Sequence, residues 1–212
     1  MGPLTDLLLL LIVLLDFAVL GTSRLSACIR AVAAQGFLLG VLSLVAGGEW
    51  SLHAVALTLG TIAVKAVLLP WFLRWAIREA AVRREVEPLV GYMASFMLGA
   101  AALAVAFAVA ARLPATGSSS LLVPVALVTL MIGLIVLITR TKALSQVLGY
   151  LMLENGIYLF GLTQARRVPF LVEAGVLLDV FVGVFVMGIV VFHINREFDS
   201  ISALKLTELR EE

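Results

Sequence analysis

The chain has 212 residues, of which 62% are hydrophobic and 14% charged, with a formal net charge of +1 and a mean hydropathy of +1.13. That is more apolar than one soluble core can hide, so the composition predicts an integral membrane protein. The near-neutral balance holds no basic stripe for nucleic acid. A single cysteine, Cys28, excludes an internal disulfide and a cysteine cluster for zinc or iron–sulfur.

The first apolar stretch, residues 3–22, lacks the basic n-region of a signal peptide and has the ~20 residues of a full span, so it reads as a retained helix. Asp16 falls toward its inner end. The second stretch, 27–47, carries Arg30 and Gln35-Gly36. The third, 51–73, places Lys65 near its middle with Thr58 and Thr61 on the outer side. The mixed charges of 74–87, ending at Pro88, read either as a cytoplasmic extension of that helix or as a solvated loop. A fourth stretch, 89–111, leads into a turn-rich external loop at 113–120. The fifth and sixth cover 121–139 and 143–163. The seventh, 169–194, sets Asp179 between Gly175 and Gly183, with His193 at its end. Beyond it, Ile201, Leu204 and Leu209 among charges suit a short amphipathic helix or a frayed terminus.

The expected fold is therefore all-α: a bundle of seven transmembrane helices, with a four-helix segment at 1–112, a three-helix segment at 121–194 and a tail at 195–212. Helices satisfy their own backbone inside lipid, and the alternation of a membrane barrel is absent. Arg24, Arg30, Arg74, Arg78, Arg83, Arg84, Arg140, Lys142, Arg196, Lys205 and Arg210 fall on one side, and Arg112, Arg166 and Arg167 on the other. The positive-inside rule then puts the carboxyl terminus in the cytoplasm and the amino terminus outside. Trp50, Trp71, Trp75 and Tyr92 suit interfacial anchors.

Within these spans, Lys142, Gln146, Tyr150, Glu154 and Tyr158 recur every four residues and suggest one proton-capable helix face. Glu154 and Asp179 each lie roughly 15 Å from a span end, by helical rise. Lys65 falls at a similar depth, so an ammonium and two carboxylates share one level. Charges there are costly and mark ion pathways. Burial favours a neutral carboxyl and a nearby ammonium the charged one, so movement of Lys65 would switch proton affinity. Glu154 and Asp179 are the expected relay carboxylates and Lys65 their tuning charge. Lys142, Gln146, Tyr150, Tyr158, Asp16 and His193 are supporting polar groups. The competing expectation is interhelical glue, the usual work of Thr, Asn and Gln in membrane bundles.

Two motifs carry a family resemblance. Thr139-Arg140-Thr141-Lys142-Ala143-Leu144-Ser145-Gln146-Val147-Leu148-Gly149-Tyr150, followed by Leu153-Glu154-Asn155-Gly156-Ile157-Tyr158, resembles the hydrogenase-4 component E family. Arg24, Arg30, Gln35-Gly36 and Asp179 with Phe181-Val182-Gly183-Val184-Phe185 fit it too. The last three spans also resemble the K-type subunit of complex I and the C-type subunit of multisubunit cation/proton antiporters. Glu154 matches the first K-type acid. Asp179 matches the second, with one methylene fewer.

The resemblance implies a noncatalytic membrane subunit of a group 4 nickel-iron hydrogenase, or formate hydrogenlyase-type, complex in a prokaryotic inner membrane. Its implied partners are antiporter-like subunits, an H-type membrane subunit, and the nickel-iron hydrogenase and iron–sulfur subunits. The nickel-iron centre and clusters would belong to those partners, and this chain would bind no cofactor. Alternatives are a structural subunit joining antiporter-like modules, a small subunit of a cation/proton antiporter, or a freestanding transporter. The last lacks paired repeats with interrupted helices.

Overall fold

Apolar runs punctuated by glycine and proline give helices wherever the chain is described. The computed structural model describes residues 2–47, 52–79, 90–113 and 121–164, with Phe181 and Gly188. The helices are α1 (Pro3–Leu20), α2 (Leu25–Gly47), α3 (Leu52–Ile62), a π-helical turn (Ala63–Leu68), α4 (Leu69–Glu79), α5 (Tyr92–Ala110), α6 (Leu122–Thr139) and α7 (Ala143–Gln164). Four of them, α1, α2, α5 and α6, are long and apolar enough to cross a bilayer by length and composition. The expected seventh span, with Asp179 and His193, lies outside the described residues, as do the 114–120 loop and the tail.

The third predicted span differs from expectation in its middle. The succession α3, π turn and α4 carries the helix on to Glu79, in keeping with the extension reading of the charged stretch over its described residues. The break in regular α geometry has a local cause. Pro70 has no N–H for the carbonyl four residues back, and its ring crowds that turn. The chain widens just before it, with the Leu69 N–H bonding the Val64 carbonyl five residues back. Single π turns inside helices are rare and cluster at functional sites; this one contains Lys65.

Helix directions alternate. A side chain built on Gly40 would strike Ile62, and one on Gly36 would strike Lys65, so α2 and the α3–α4 rod run antiparallel. The Arg140 guanidinium reaches the carbonyl of Leu20 at 3.2 Å and lies 5.3 Å from the Tyr92 ring. The C-terminal ends of α1 and α6 and the N-terminal end of α5 thus share one end of the bundle, the end that carries Arg24 and Lys142. Trp71 and Trp75 stand exposed on α4.

The core has two apolar layers. The layer toward the basic end is built around Val19, Leu20, Ile29, Leu73, Ile132 and Leu148. The other contains Leu9, Ile12, Leu39, Leu42, Ala126 and Leu159. On each of α1, α2, α6 and α7, buried polar residues sit where the two layers meet: Asp16, Gln35, Thr129, and Glu154 with Asn155. The helices close around the layer through glycine, most tightly where α6 and α7 touch backbone to backbone at Gly133, Gly149 and Gly156.

Candidate functional site

Lys65 enters the polar layer because its own turn is pressed against α2. Gly36 leaves the space for this: an added Cβ would stand 2.6 Å from the Lys65 Cβ and 2.9 Å from its carbonyl carbon. From that seat the ammonium donates to Asn155 Oδ1 at 3.1 Å, lies 3.8 Å from Glu154 Oε1 and is 5.3 Å from the centre of the Tyr158 ring. Carboxylate, amide oxygen and aromatic face all favour a cation. Each side chain in this cluster is almost fully buried, where charges survive only with partners.

The layer continues from Asn155 to α1. Asn155 Nδ2 faces Gln35 Oε1 at 3.5 Å, and Gln35 Nε2 donates to Asp16 Oδ1 at 2.7 Å and more weakly to the Ile12 carbonyl at 3.4 Å. The second carboxylate oxygen, Asp16 Oδ2, accepts from the Thr129 hydroxyl at 2.7 Å. Both Asp16 oxygens therefore have a hydrogen-bond partner. An unbroken polar row therefore crosses from α6 through α1, α2 and α7 to the π turn. Above Lys65 on the same rod, Thr58 meets the Ser43 hydroxyl at 3.2 Å, and the buried Thr61 hydroxyl has no hydrogen-bond partner among the described residues.

Several expected residues sit elsewhere than the sequence suggested. Asp16, expected near the inner end, reaches the middle of α2 and α6 and is fully buried. The four-residue ladder on α7 does not share one face. At about 100° per residue, four steps of four drift about 160° around a helix. Gln146 is accordingly exposed and bonds the Arg140 carbonyl at 3.1 Å. Lys142 is half-buried at the helix start, and Tyr150 packs on the apolar layer. Glu154 and Tyr158 alone in that ladder meet Lys65. Asp179 and His193 fall outside the described residues. Among those residues no three His, Cys, Asp or Glu side chains converge as a metal site would need.

At a span end Arg140 reads from sequence as a topology charge, yet it is 3% exposed. Its guanidinium meets the C-terminal end of α1, where free carbonyls carry the negative pole of the helix, and lies against Tyr92 of α5. Arg140→Met should therefore lower stability by about 1.5–3 kcal/mol, the range for hydrogen bonds to charged groups. Equilibrium unfolding in mixed micelles would measure it, and a wild-type midpoint would show that the contact carries no weight. Gln35 and Thr129 were also passed over as site residues. Gln35 carried a usable signal, an amide in mid-span; Thr129 carried none, since threonine is common in membrane helices.

No family model matches the chain, and no solved structure matches it. It is 34% identical over 204 residues to the uncharacterized protein Rv0085 of Mycobacterium tuberculosis, covering 94% of this chain and 93% of that protein. It is 32% identical over 149 residues to hydrogenase-4 component E of Escherichia coli K12, covering 69% of this chain and 68% of that protein. Hydrogenase-4 component E of Shigella flexneri matches to the same extent.

Proposed function

Since the chain belongs to the hydrogenase-4 component E family, we propose that it is a noncatalytic membrane subunit of a hydrogenase complex and lends intramembrane carboxylates to an ion path. The observation that carries this reading is the polar layer, with Lys65 between Glu154, Asn155 and Tyr158. A lysine and two acids buried at one level of an apolar bundle are expensive, and ion pathways are where membrane proteins keep them. The complex is of the group 4 nickel-iron, formate hydrogenlyase type, with antiporter-like and H-type membrane partners. Its nickel-iron centre and iron–sulfur clusters sit in the hydrogenase and iron–sulfur subunits.

In this reading the chain crosses a prokaryotic inner membrane seven times, with its basic end in the cytoplasm. Asp179, on the seventh span, is the second relay acid, as in the K-type subunits that the last three spans resemble. Lys65, 3.8 Å from Glu154, is its tuning charge in this path. The hydroxyls of Thr61, Thr58 and Ser43 line the route from Lys65 toward the opposite end. The lone buried Thr61 hydroxyl suits a water there.

A second reading is favoured by the number of rods the layer ties together: the same bonds suit a structural subunit that joins antiporter-like modules. Two experiments separate these readings. Mild-detergent purification of the tagged native chain should bring antiporter-like and nickel-iron hydrogenase subunits in fixed ratio. Recovery alone, as one homogeneous species, would reject complex membership. Glu154→Gln in that complex should abolish hydrogen-linked ion translocation in inverted vesicles and leave hydrogen chemistry running. Reduced assembly with normal translocation per complex would instead favour the structural role.

A further inference from the structure

We propose that Asp16 and Lys65 form one ion pair held together through two oriented amides, so that α1 and α7 are electrically joined through Lys65. The ammonium already lies 3.8 Å from Glu154. It reaches Asp16 by three further hydrogen bonds: to Asn155 at 3.1 Å, from Asn155 to Gln35 at 3.5 Å, and from Gln35 to Asp16 at 2.7 Å.

The two charged ends fix both amide orientations. An ammonium only donates, so it takes the Asn155 oxygen and leaves the Asn155 NH2 pointing on to Gln35. An ionised carboxylate only accepts, so it takes the Gln35 NH2 and leaves the Gln35 oxygen facing Asn155. Both amide dipoles then lie head to tail between the positive and negative groups, and hydrogen-bonded chains polarise one another in a low-dielectric interior. Flipping either amide alone would set like against like at both of its contacts.

The same chemistry separates charge from proton movement. A neutral amide neither takes up nor gives up a proton readily, so Gln35 and Asn155 transmit field and hold no mobile proton. Among the described residues, the Asp16 oxygen on their side meets only an NH2 donor. Its other oxygen meets the Thr129 hydroxyl, which can donate or accept. A proton entering Asp16 therefore arrives on the Thr129 side. One lysine thus serves two carboxylates, Glu154 directly and Asp16 through the bridge. The inference concerns the isolated chain and stands whether or not the layer carries ions.

The test uses the full-length chain in detergent micelles, with side-chain amide NMR of labelled Asn and Gln. Asp16→Asn, close to isosteric, should move the Asn155 side-chain resonance, although Asp16 and Asn155 are linked only through Gln35. That shift should vanish in a Gln35→Leu background and persist in Thr139→Val, which cuts a contact within α6 outside the layer. An Asn155 resonance unmoved by Asp16→Asn would overturn the bridge, as would a shift that survives Gln35→Leu. Should Gln35→Leu not fold, melting temperatures decide. With the bridge, Asp16→Asn and Lys65→Met together melt no lower than the worse single variant. Additive losses would reject it. Lost ion translocation in Glu154→Gln leaves this result untouched, so the two ideas fail separately.

Discussion

Lys65→Met should be the most damaging single substitution in the layer, lowering stability by about 3–5 kcal/mol, the usual cost of removing one partner from a buried ion pair. Methionine fills the same channel under Gly36, so lost packing contributes little. What it leaves is Glu154 buried without its ammonium and Asn155 with an unsatisfied oxygen. A second substitution in the same background identifies the cause. Glu154→Gln removes the carboxylate that Lys65 faced and keeps the shape, so the double variant should recover most of the loss. Chemical unfolding in mixed micelles would measure both. A Lys65→Met chain as stable as wild type would mean that the ammonium contributes nothing net, and a double variant no better than the single would place the cost in packing.

Helices and rotations differ in how far the chain declares them. Hydropathy marked the described helices to within a few residues at most ends, because a span must be apolar along its whole length. The third rod was misjudged where Pro70 acts on the preceding turn, a backbone effect that hydropathy does not register. The Lys65–Glu154 pairing could be suspected from depth, since helical rise converts residue number into height. Rotation is harder. The Lys142 to Tyr158 ladder looks like one face in four-residue steps and winds around the helix in three dimensions. Height along its own helix puts Asp16 near an end, whereas its neighbours α2 and α6 present their middles to it. Arg140 illustrates the same limit: a basic residue at a span end is ordinarily a topology signal, and only the meeting of α1 and α5 at that loop makes it a buried clamp.

The α6–α7 contact supplies the other large effect, and it reaches the layer from outside. A Cβ on Gly149 would stand 2.5 Å from the Leu137 nitrogen, 2.9 Å from its Cα and 3.0 Å from the Gly133 carbonyl oxygen. All three are backbone atoms, so no side chain can rotate away and the helices themselves must part. Overpacked cores lose about 1–3 kcal/mol when neighbours can adjust, and occasionally more; Gly149→Leu should exceed that range. Separation at Gly149 also carries Glu154 and Asn155, about one and a half turns further along α7, away from Gln35 and Lys65. The variant should therefore lose the Asn155 amide resonance position along with stability. Among the described residues, nothing lies within 4 Å of a Cβ added to Gly161, near the far end of the same helix. There Gly161→Ala should raise stability by about 0.5–1 kcal/mol, the ordinary gain of alanine over glycine in a helix. Thermal unfolding of the two variants beside wild type gives opposite signs if backbone contact sets the α6–α7 spacing. Equal behaviour would mean that these helices are not held at that distance.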